Sequence, residues 1–398
     1  MRAEIFWWVN PYKILVFFLI PIYILIYFVQ FEGTVYFTTF YFITGLLFLL
    51  SISLGSLIGS RVHIKKTSPI YVYKIYLDLL FWLTFISYVI WFREFIFNPG
   101  LIIDMIVGEV NYTDIRNMIS TIPGVTTLSQ LGIVYIVFYM YQFKFYEPQV
   151  RKKYTIYFVI IISMTVFRSI AWSERLALIE IAVPIVVIIF SRYKKARFRS
   201  LIKTAPYVGI ILMYALFSVT EYFRSWKSYY QYIYDNFFHF TAQRVLNYYY
   251  TALNNGAGFL EESGTPSYRF EHTLDWIYKF PIIGEKLSEA LRIKWDYSKF
   301  LNSFLTSEFN NPSGIFVFFY DMNVPLALIF IFLIGSIIGY FYRGFLNLQG
   351  LGMLIYPVLF VGIIEIMRQP YFTSSRFFPV VLFIIFGSLL FRVKKLRK

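Results

Sequence analysis

Residues 35–59 read VYFTTFYFITGLLFLLSISLGSLIG, a stretch without a single charged side chain. A helix rises about 1.5 Å per residue, so roughly 20 apolar residues are enough to cross the ~30 Å hydrocarbon core of a bilayer. This stretch therefore predicts a transmembrane helix. The same apolar pattern recurs on both sides of it, with short interruptions, along most of the chain.

Apolar runs of comparable length predict about ten membrane spans. They lie near residues 14–30, 35–59, 75–92, 128–145, 154–172, 176–191, 205–222, 323–342, 351–367 and 376–391. Only helices and closed barrels satisfy their backbone hydrogen bonds inside lipid, and these runs are long enough for helices. The predicted fold class is an all-α polytopic membrane protein with one large extracytoplasmic loop.

Composition supports this class and excludes others. Of the 398 residues 58% are hydrophobic and only 15% are charged, too few for a set of soluble domains. The net charge of +15 sits largely in the short loops at 61–66, 151–153 and 192–203 and in the tail 392–398. The positive-inside rule places these loops and both termini in the cytoplasm, so no nucleic-acid partner is expected. The chain contains no cysteine, which excludes disulfides and thiolate chemistry.

The chain divides by predicted environment into three parts. Residues 1–222 form an N-terminal bundle of seven spans, 223–322 a large extracytoplasmic loop, and 323–398 the last spans with a basic cytoplasmic tail. Within the loop, the apolar run 300–320 is interrupted at 308–314 by EFNNPSG, which predicts a re-entrant or half-helical segment. Irregular backbone at this depth requires a cover of protein or a watery cavity, so we expect a cavity beneath the loop.

Glycines spaced four residues apart occur in two of the predicted spans. They are Gly55 and Gly59 in the second span and Gly335 and Gly339 in the eighth. Small residues at this spacing let the backbones of two helices approach closely in a membrane. The pattern predicts helix packing and carries no chemistry.

A short hairpin between the fifth and sixth spans holds Arg168, Glu174 and Arg175 at the predicted outer membrane boundary. A charged side chain at this position costs free energy unless it pairs with an opposite charge or takes part in binding or catalysis. One reading is an ion pair from Glu174 to either arginine that closes the hairpin. The other is that the surplus arginine binds an anion, because one positive charge remains after pairing with Glu174.

Further arginines lie in the outer segments. Arg224 follows the seventh span directly, Arg244 lies in a predicted amphipathic helix near 237–248, and Arg368 and Arg376 flank the last outer turn. The planar guanidinium group presents a fork of donors that matches phosphate oxygens. These residues are therefore candidates for binding phosphate, although solvation or pairing with carboxylates accounts for such side chains equally well.

Aromatic and amide side chains cluster at Tyr248, Tyr249, Asn254 and Asn255. Tyrosines commonly form a belt at the membrane interface, and they also serve as platforms for sugar rings. Amides beside aromatic rings suit ligands rich in hydroxyl groups. We therefore take these four residues as candidates for binding a glycan.

Four side chains are candidates for the base that accepts a proton: His239, Glu174, Glu308 and Asp321. A carboxylate in a half-dry cavity has a raised pKa and can act in this way, but pairing with an arginine would leave it purely structural. The sequence contains no Asp-x-Asp pair and no His-x-x-x-His pair. We expect no metal ion and no cofactor.

Taken together, these patterns resemble the Wzy-type oligosaccharide repeat unit polymerases, or O-antigen polymerases. The similarity is carried by the layout of spans and by three local patterns: the hairpin 167–178, the outer loop with Arg224 and Arg244, and the segment 302–323. The resemblance implies a GT-C-like membrane glycosyltransferase that works without metal at the outer leaflet of the bacterial cytoplasmic membrane.

What the family resemblance further implies is a substrate and partners. Such an enzyme transfers a growing glycan from its polyprenyl (undecaprenyl) diphosphate carrier to an incoming carrier-linked repeat unit, producing O-antigen or capsular polysaccharide. Membrane lipids and a chain-length regulator protein are the implied partners. On this reading Arg168, Arg175, Arg224 and Arg244 hold the diphosphates, with Arg368 and Arg376 behind them.

Two alternatives share part of the pattern. An O-antigen ligase has the same layout but a different acceptor, lipid A core. A flippase or transporter of lipid-linked oligosaccharide is the other alternative, although transporters more often show inverted repeats and short loops. The gathering of polar groups at one predicted face favours chemistry at that face.

Overall fold

A computed structural model describes the fold over most of the chain. The residues described are 6–29, 33–63, 67–107, 119, 121–122, 124–172, 174–192, 198–227, 229–264, 266–280, 283–293, 296–304 and 309–393. Within them the chain is helical and contains no β-strand, and an isolated β-bridge joins Val72 to Arg392. The prediction of an all-α fold is confirmed for this part of the chain.

The main helices follow the order of the sequence. They are α1 (Pro11–Tyr27), α2 (Thr39–Arg61), α3 (Lys74–Trp91), α4 (Leu131–Gln142), α5 (Pro148–Ala171), α6 (Arg175–Ser191), α7 (Ala205–Glu221), α8 (Phe237–Ser263), α9 (Asp296–Phe304), α10 (Val317–Asp321), α11 (Val324–Leu346), α12 (Gly352–Glu365) and α13 (Phe377–Leu390). A helix occupies each position where a span was predicted. Shorter helices lie at Arg93–Phe97, Gly100–Val107, Val125–Leu128, Arg199–Lys203, Asp275–Tyr278 and Gly284–Ala290.

Four of these helices are long and apolar enough to cross a membrane. They are α2, α3, α5 and α11, and α1, α7, α12 and α13 are shorter apolar helices. Length and hydropathy therefore make the chain compatible with a membrane location.

The exposed face of α2 supports the same conclusion. Its outward side chains are Phe40, Ile43, Leu47, Leu50, Leu54 and Ile58, each at least 40% exposed. The buried side of the same helix carries Ser53 and Ser56, whose hydroxyls donate to carbonyls of their own helix. An apolar exterior around a more polar interior is unfavourable in water and suits a helix that faces lipid.

The described chain packs as two compact units that interleave in sequence. The first unit comprises Met1–Ser68, Phe190–Pro206 and Arg244–Phe378, and the second comprises Pro69–Ile189, Tyr207–Gln243 and Pro379–Lys398. The division at residues 222 and 322 described above follows predicted environment, whereas these units group parts of the backbone that lie close together.

In the first unit, α2 and α11 approach each other at their glycines. A Cβ atom built on Gly55, Gly59, Gly335 or Gly339 would overlap a backbone oxygen of the other helix. The hydroxyl of Ser51 also crosses this contact and donates to the carbonyl of Leu328 at 2.7 Å. The predicted close packing of the two glycine pairs is confirmed.

The interrupted segment of the first unit is covered by protein. Helix α9 ends at Phe304, and residues 313–322, which include the single turn α10, are all buried. Ser313 adopts φ 61° and donates its backbone N–H to the carbonyl of Arg368 at 3.0 Å, while Gly314 donates to Ile366 at 3.0 Å. Both carbonyls belong to the turn that follows α12, and these bonds give them partners.

In the second unit, α4 runs through the interior with nearly every side chain buried. The hydroxyl of Tyr135 on this helix donates to the carbonyl of Tyr154 on α5 at 2.7 Å. The rings of Phe81 and Tyr157 stack with centroids 3.6 Å apart, which joins α3 to α5. Aromatic contacts therefore hold the three helices together.

The glycine contact makes a testable prediction. We expect Gly335→Leu to lower the free energy of unfolding by about 1–3 kcal/mol, because the new side chain must push α2 away. The measurement is the unfolding transition of detergent-purified protein in an SDS titration. Gly209→Leu on α7 is the matched control, since nothing lies within 4 Å of its Cβ position. Equal transitions for the two variants would contradict the packing interpretation.

Candidate functional site

The hairpin between α5 and α6 holds Arg168 in a closed arrangement. Its Nε and Nη2 donate to Oε2 of Glu174 at 2.8 and 2.6 Å, and Nη1 donates to Oγ of Ser129 at 3.1 Å. The guanidinium carbon lies 4.6 Å from the ring centroid of Trp91. Each nitrogen of this buried side chain therefore has a partner within the second unit.

Arg175, at the start of α6, is buried in a second network. Its Nε donates to Oγ1 of Thr220 at 2.8 Å, and Nη2 pairs with Oε1 of Glu221. The hydroxyl of Ser225 donates to the other carboxylate oxygen at 2.7 Å, and the ring of Phe217 lies 3.8 Å from the guanidinium carbon. Hydrogen bonds and an aromatic face thus surround this ion pair.

Together these contacts correct the expected charge of the hairpin. The sequence interpretation left one positive charge after pairing with Glu174, but Glu221 neutralises Arg175. That carboxylate is 46 residues away in sequence and reaches the hairpin from the end of α7. The structure therefore favours the pairing interpretation for Arg168 and Arg175.

A different arrangement surrounds Arg368, just after the end of α12. Its Nε donates to Oε2 of Glu365 at 2.5 Å, and Nη1 donates to the hydroxyl of Tyr248. The Tyr248 ring centroid lies 5.2 Å from the guanidinium carbon. Only 6% of Arg368 is exposed, and its Nη2 has no hydrogen-bond partner among the described residues. A buried donor without a partner is uncommon and calls for an explanation.

Arg244 lies next to this group in the first unit. It precedes Tyr248 by one turn of α8, is 6% exposed, and its guanidinium carbon is 4.4 Å from the ring centroid of Phe309. The rings of Tyr248 and Phe309 are 6.1 Å apart in an edge-to-face contact. Two aromatic rings therefore join the two guanidinium groups. We call Arg244, Tyr248, Phe309, Glu365 and Arg368 the arginine cluster.

The amide of Asn254 makes three hydrogen bonds to backbone groups. Its Oδ1 accepts the N–H groups of Tyr36 and Phe37 at 2.7 and 2.9 Å, and its Nδ2 donates to the carbonyl of Thr34 at 3.0 Å. The side chain is completely buried. It anchors the segment before α2 to α8, and glycan binding by this residue stays a prediction.

The neighbouring candidates support the arginine cluster. Asn255 is also completely buried, and its Nδ2 donates to the carbonyl of Phe309 at 2.6 Å, which fixes the backbone at that ring. Burial raises the pKa of Tyr249, with the negative charge of Glu365 acting in the same direction. Tyr248 thus contacts Arg368 directly, whereas Asn255 contributes by holding the backbone of Phe309 in place.

The candidate bases are dispersed. His239 is exposed in the first turn of α8, which the side chain of Asn236 caps. Asp321 is completely buried and accepts the backbone N–H groups of His272 and Thr273 at 3.1 and 2.6 Å; burial raises the pKa of its carboxyl, and these hydrogen bonds oppose that rise. Glu174 accepts from Arg168, as described.

Two other candidates fall partly or wholly outside the described chain. Glu308 lies outside the described residues, and so does the side chain of Arg224, whose backbone belongs to the helical turn Tyr222–Trp226. Their predicted roles stay predictions.

A cavity of about 520 Å³ opens in the first unit. Charged and imidazole side chains at its wall are His272, Asp275, Lys279 and Arg376. Hydroxyl and amide groups come from Tyr297, Ser298, Asn310, Asn311, Gln369 and Thr373, among others. The walls are contributed by the long loop, the interrupted segment and the turn before α13; the position of the cavity relative to the membrane stays a prediction.

The charges at this wall largely compensate each other. Lys279 and Asp275 form an ion pair at 2.7 Å, one helical turn apart. Burial lowers the pKa of His272 to about 4, and the charge of Lys279 acts in the same direction. The imidazole is therefore neutral at physiological pH.

Several of these residues were missed by sequence reasoning. Glu365 stands three positions before Arg368, a spacing at which opposite charges meet on a helix, so this pair carried a readable signal. Lys279 stands four positions after Asp275 and carried the same kind of signal. Glu221 carried none, because its partner Arg175 lies 46 positions away on another helix.

Comparison of the chain with protein-family models, with curated proteins and with solved structures gives no match. The features that bear on function are therefore the arginine cluster and the cavity, both of which lie in the first unit.

The buried pair in the second unit has a measurable consequence. We expect Glu221→Gln to lower the free energy of unfolding by about 3–5 kcal/mol, because Arg175 keeps a buried charge without its carboxylate. Removing both charges, with Arg175→Met and Glu221→Leu together, should recover most of that loss. SDS titration of the purified variants provides the measurement. A double variant no more stable than the single one would show that the pair is not structural.

Proposed function

We propose that this protein is a membrane glycosyltransferase that polymerises polyprenyl-diphosphate-linked oligosaccharide repeat units into O-antigen or capsular polysaccharide. The reaction takes place at the outer face of the bacterial cytoplasmic membrane. The observation that carries the proposal is the buried Arg368, which is held by Glu365 and Tyr248 and keeps Nη2 without a partner among the described residues.

The surroundings of Arg368 suit an anionic ligand. A guanidinium group is weakly hydrated and binds phosphate oxygens through its planar fork of N–H donors. Glu365 and Tyr248 fix the orientation of that fork, so a phosphate meets it already positioned. The contrast with Arg168 is informative, since every nitrogen of that side chain is already engaged.

Arg244 provides a second buried guanidinium beside the first. The rings of Phe309 and Tyr248 contact each other, and each guanidinium lies within about 5 Å of the centroid of one of these rings. A diphosphate carries its negative charge on two linked phosphates and therefore suits two cations better than one. The arginine cluster offers a diphosphate two sets of guanidinium donors, while Glu365 offsets the charge of Arg368.

In the proposed reaction a hydroxyl of the incoming repeat unit attacks the anomeric carbon of the growing glycan. A new glycosidic bond forms, the bond from that carbon to the carrier diphosphate breaks, and the hydroxyl proton passes to a base. Negative charge grows on the departing diphosphate, and preorganised donors in a water-poor site stabilise it strongly. Arg244 and Arg368 are the groups that would do so.

The proposal includes ten spans, α1–α7 and α11–α13, with both termini in the cytoplasm. Residue contacts agree with the sides that this topology assigns. Asn254 in the outer loop binds the segment before α2, which is also assigned to the outside. On the cytoplasmic side, the indole of Trp7 donates to the carbonyl of Lys203, and Val72 forms a bridge with Arg392. Tyr248 and Arg368 are likewise assigned to one side, the outer one.

A reconstituted assay tests the proposal. We expect Arg368→Gln to reduce the rate of polymerisation by about 10²–10³-fold, the usual effect of losing one donor to a developing charge. The substrate is the carrier-linked repeat unit isolated from the source strain after deletion of this gene, and products are resolved as a ladder on a gel. Arg269→Gln is the matched control, because Arg269 is exposed in the same outer segment.

A companion variant separates loss of function from loss of folding. Arg368→Gln leaves Glu365 buried without its cation, whereas Glu365→Gln with Arg368→Gln keeps an uncharged hydrogen-bonding pair. The double variant should fold like the wild type and remain inactive. Polymerisation at the wild-type rate would refute the proposal. Transfer of the glycan to lipid A core would indicate a ligase instead, and movement across vesicles without new bonds would indicate a transporter.

A further inference from the structure

The cavity of the first unit has a wall unlike that of the arginine cluster. Hydroxyl and amide groups dominate it, including those of Asn310, Asn311, Gln369 and Thr373. Such groups both donate and accept hydrogen bonds, as the hydroxyls of a sugar do. The ion pair between Asp275 and Lys279 cancels charge at the same wall. Arg376 adds one guanidinium group at this wall, and the other polar groups there are mainly neutral, so the cavity suits a ligand that carries many hydroxyl groups.

Its size fits a short oligosaccharide. The volume of about 520 Å³ lies within the ~300–1,000 Å³ range of sites that hold small molecules. The cavity therefore has room for sugar rings with their hydroxyl groups.

At two positions a residue of the cavity wall directly follows a residue of the arginine cluster in the sequence. Gln369 of the cavity follows Arg368 of the arginine cluster, and Asn310 of the cavity follows Phe309, on which Arg244 packs. The side chain of Gln369 also donates to Oε2 of Glu365 at 3.4 Å, so the cavity wall and the arginine cluster are in contact at this point. A glycan attached to a carrier has the same order of chemistry, with a diphosphate directly followed by sugar hydroxyls.

We propose that the cavity binds the sugar residues next to the diphosphate of a carrier-linked glycan, with Asn311 and Thr373 among the groups that hold them. This inference rests on the proposed function and adds to it the place where the glycan lies. It assigns recognition of the sugar to the turn before α13 and to the interrupted segment. Asn254 and Asn255, whose amides hold backbone, are not needed for that task.

Two carriers that differ only in the sugar provide the test. The probes are undecaprenyl diphosphate alone and the undecaprenyl-diphosphate-linked repeat unit from the deletion strain, titrated against protein in nanodiscs by native mass spectrometry. We expect Asn311→Leu and Thr373→Val each to raise Kd for the sugar-bearing probe roughly 3- to 10-fold, the effect of one lost neutral hydrogen bond. The double variant should raise it roughly 10- to 100-fold.

Binding of the sugar-free probe separates the possible outcomes. Its Kd should stay unchanged in the cavity variants and should rise in the double variant of Glu365→Gln and Arg368→Gln. Asn347→Leu, at an exposed position after α11, is the control for both probes. If the cavity variants weaken both probes equally, or neither, the inference is overturned while the proposed function stands. If wild-type protein binds neither probe, the proposed function fails with it.

Discussion

Two backbone hydrogen bonds hold the candidate site together, from Ser313 to the carbonyl of Arg368 and from Gly314 to that of Ile366. Both carbonyls lie in the turn after α12, and backbone carbonyls that are buried away from water must be satisfied by other parts of the chain. Here the interrupted segment satisfies them. It is thereby fixed against the end of α12, and its first described residue, Phe309, comes to lie beside Tyr248. Both the arginine cluster and the cavity depend on this docking.

The cost of burying charge explains why the arginines of this protein differ from one another. Carboxylate and hydroxyl groups accept the hydrogen bonds described for Arg168 and Arg175. Ion pairs of this kind, here called closed pairs, connect one helix to another part of the fold. Arg368 has a carboxylate partner too, but one of its donors is left over. A closed pair has little to offer a ligand, whereas a pair with a spare donor can accept an anion at small additional cost. Burial alone therefore does not mark an arginine as functional.

The arrangement of polarity within the first unit links the fold to the proposed chemistry. Helices α2 and α11 contact each other at their glycines and expose apolar side chains. They contribute few polar groups and serve as a structural scaffold. The polar groups gather instead where α8, the interrupted segment and the end of α12 come together. Charged donors and neutral amides occupy adjoining stretches of backbone there. Charged donors followed by neutral amides suit a ligand that is anionic at one end and carries hydroxyl groups beyond that end.

The amino-acid sequence by itself determined the helices and one of their contacts. Apolar runs and small residues four positions apart are local patterns, and the physics of lipid and of close packing acts on them locally, so α2, α11 and their glycine contact were predictable. The distant partners of buried charges were decided only by the tertiary structure. Glu221 reaches Arg175, and Tyr248 reaches Arg368 across 120 positions, because particular helices pack together. A sequence records which charges a chain carries, but a charge is compensated by its neighbours in space, and for distant residues the fold chooses those neighbours.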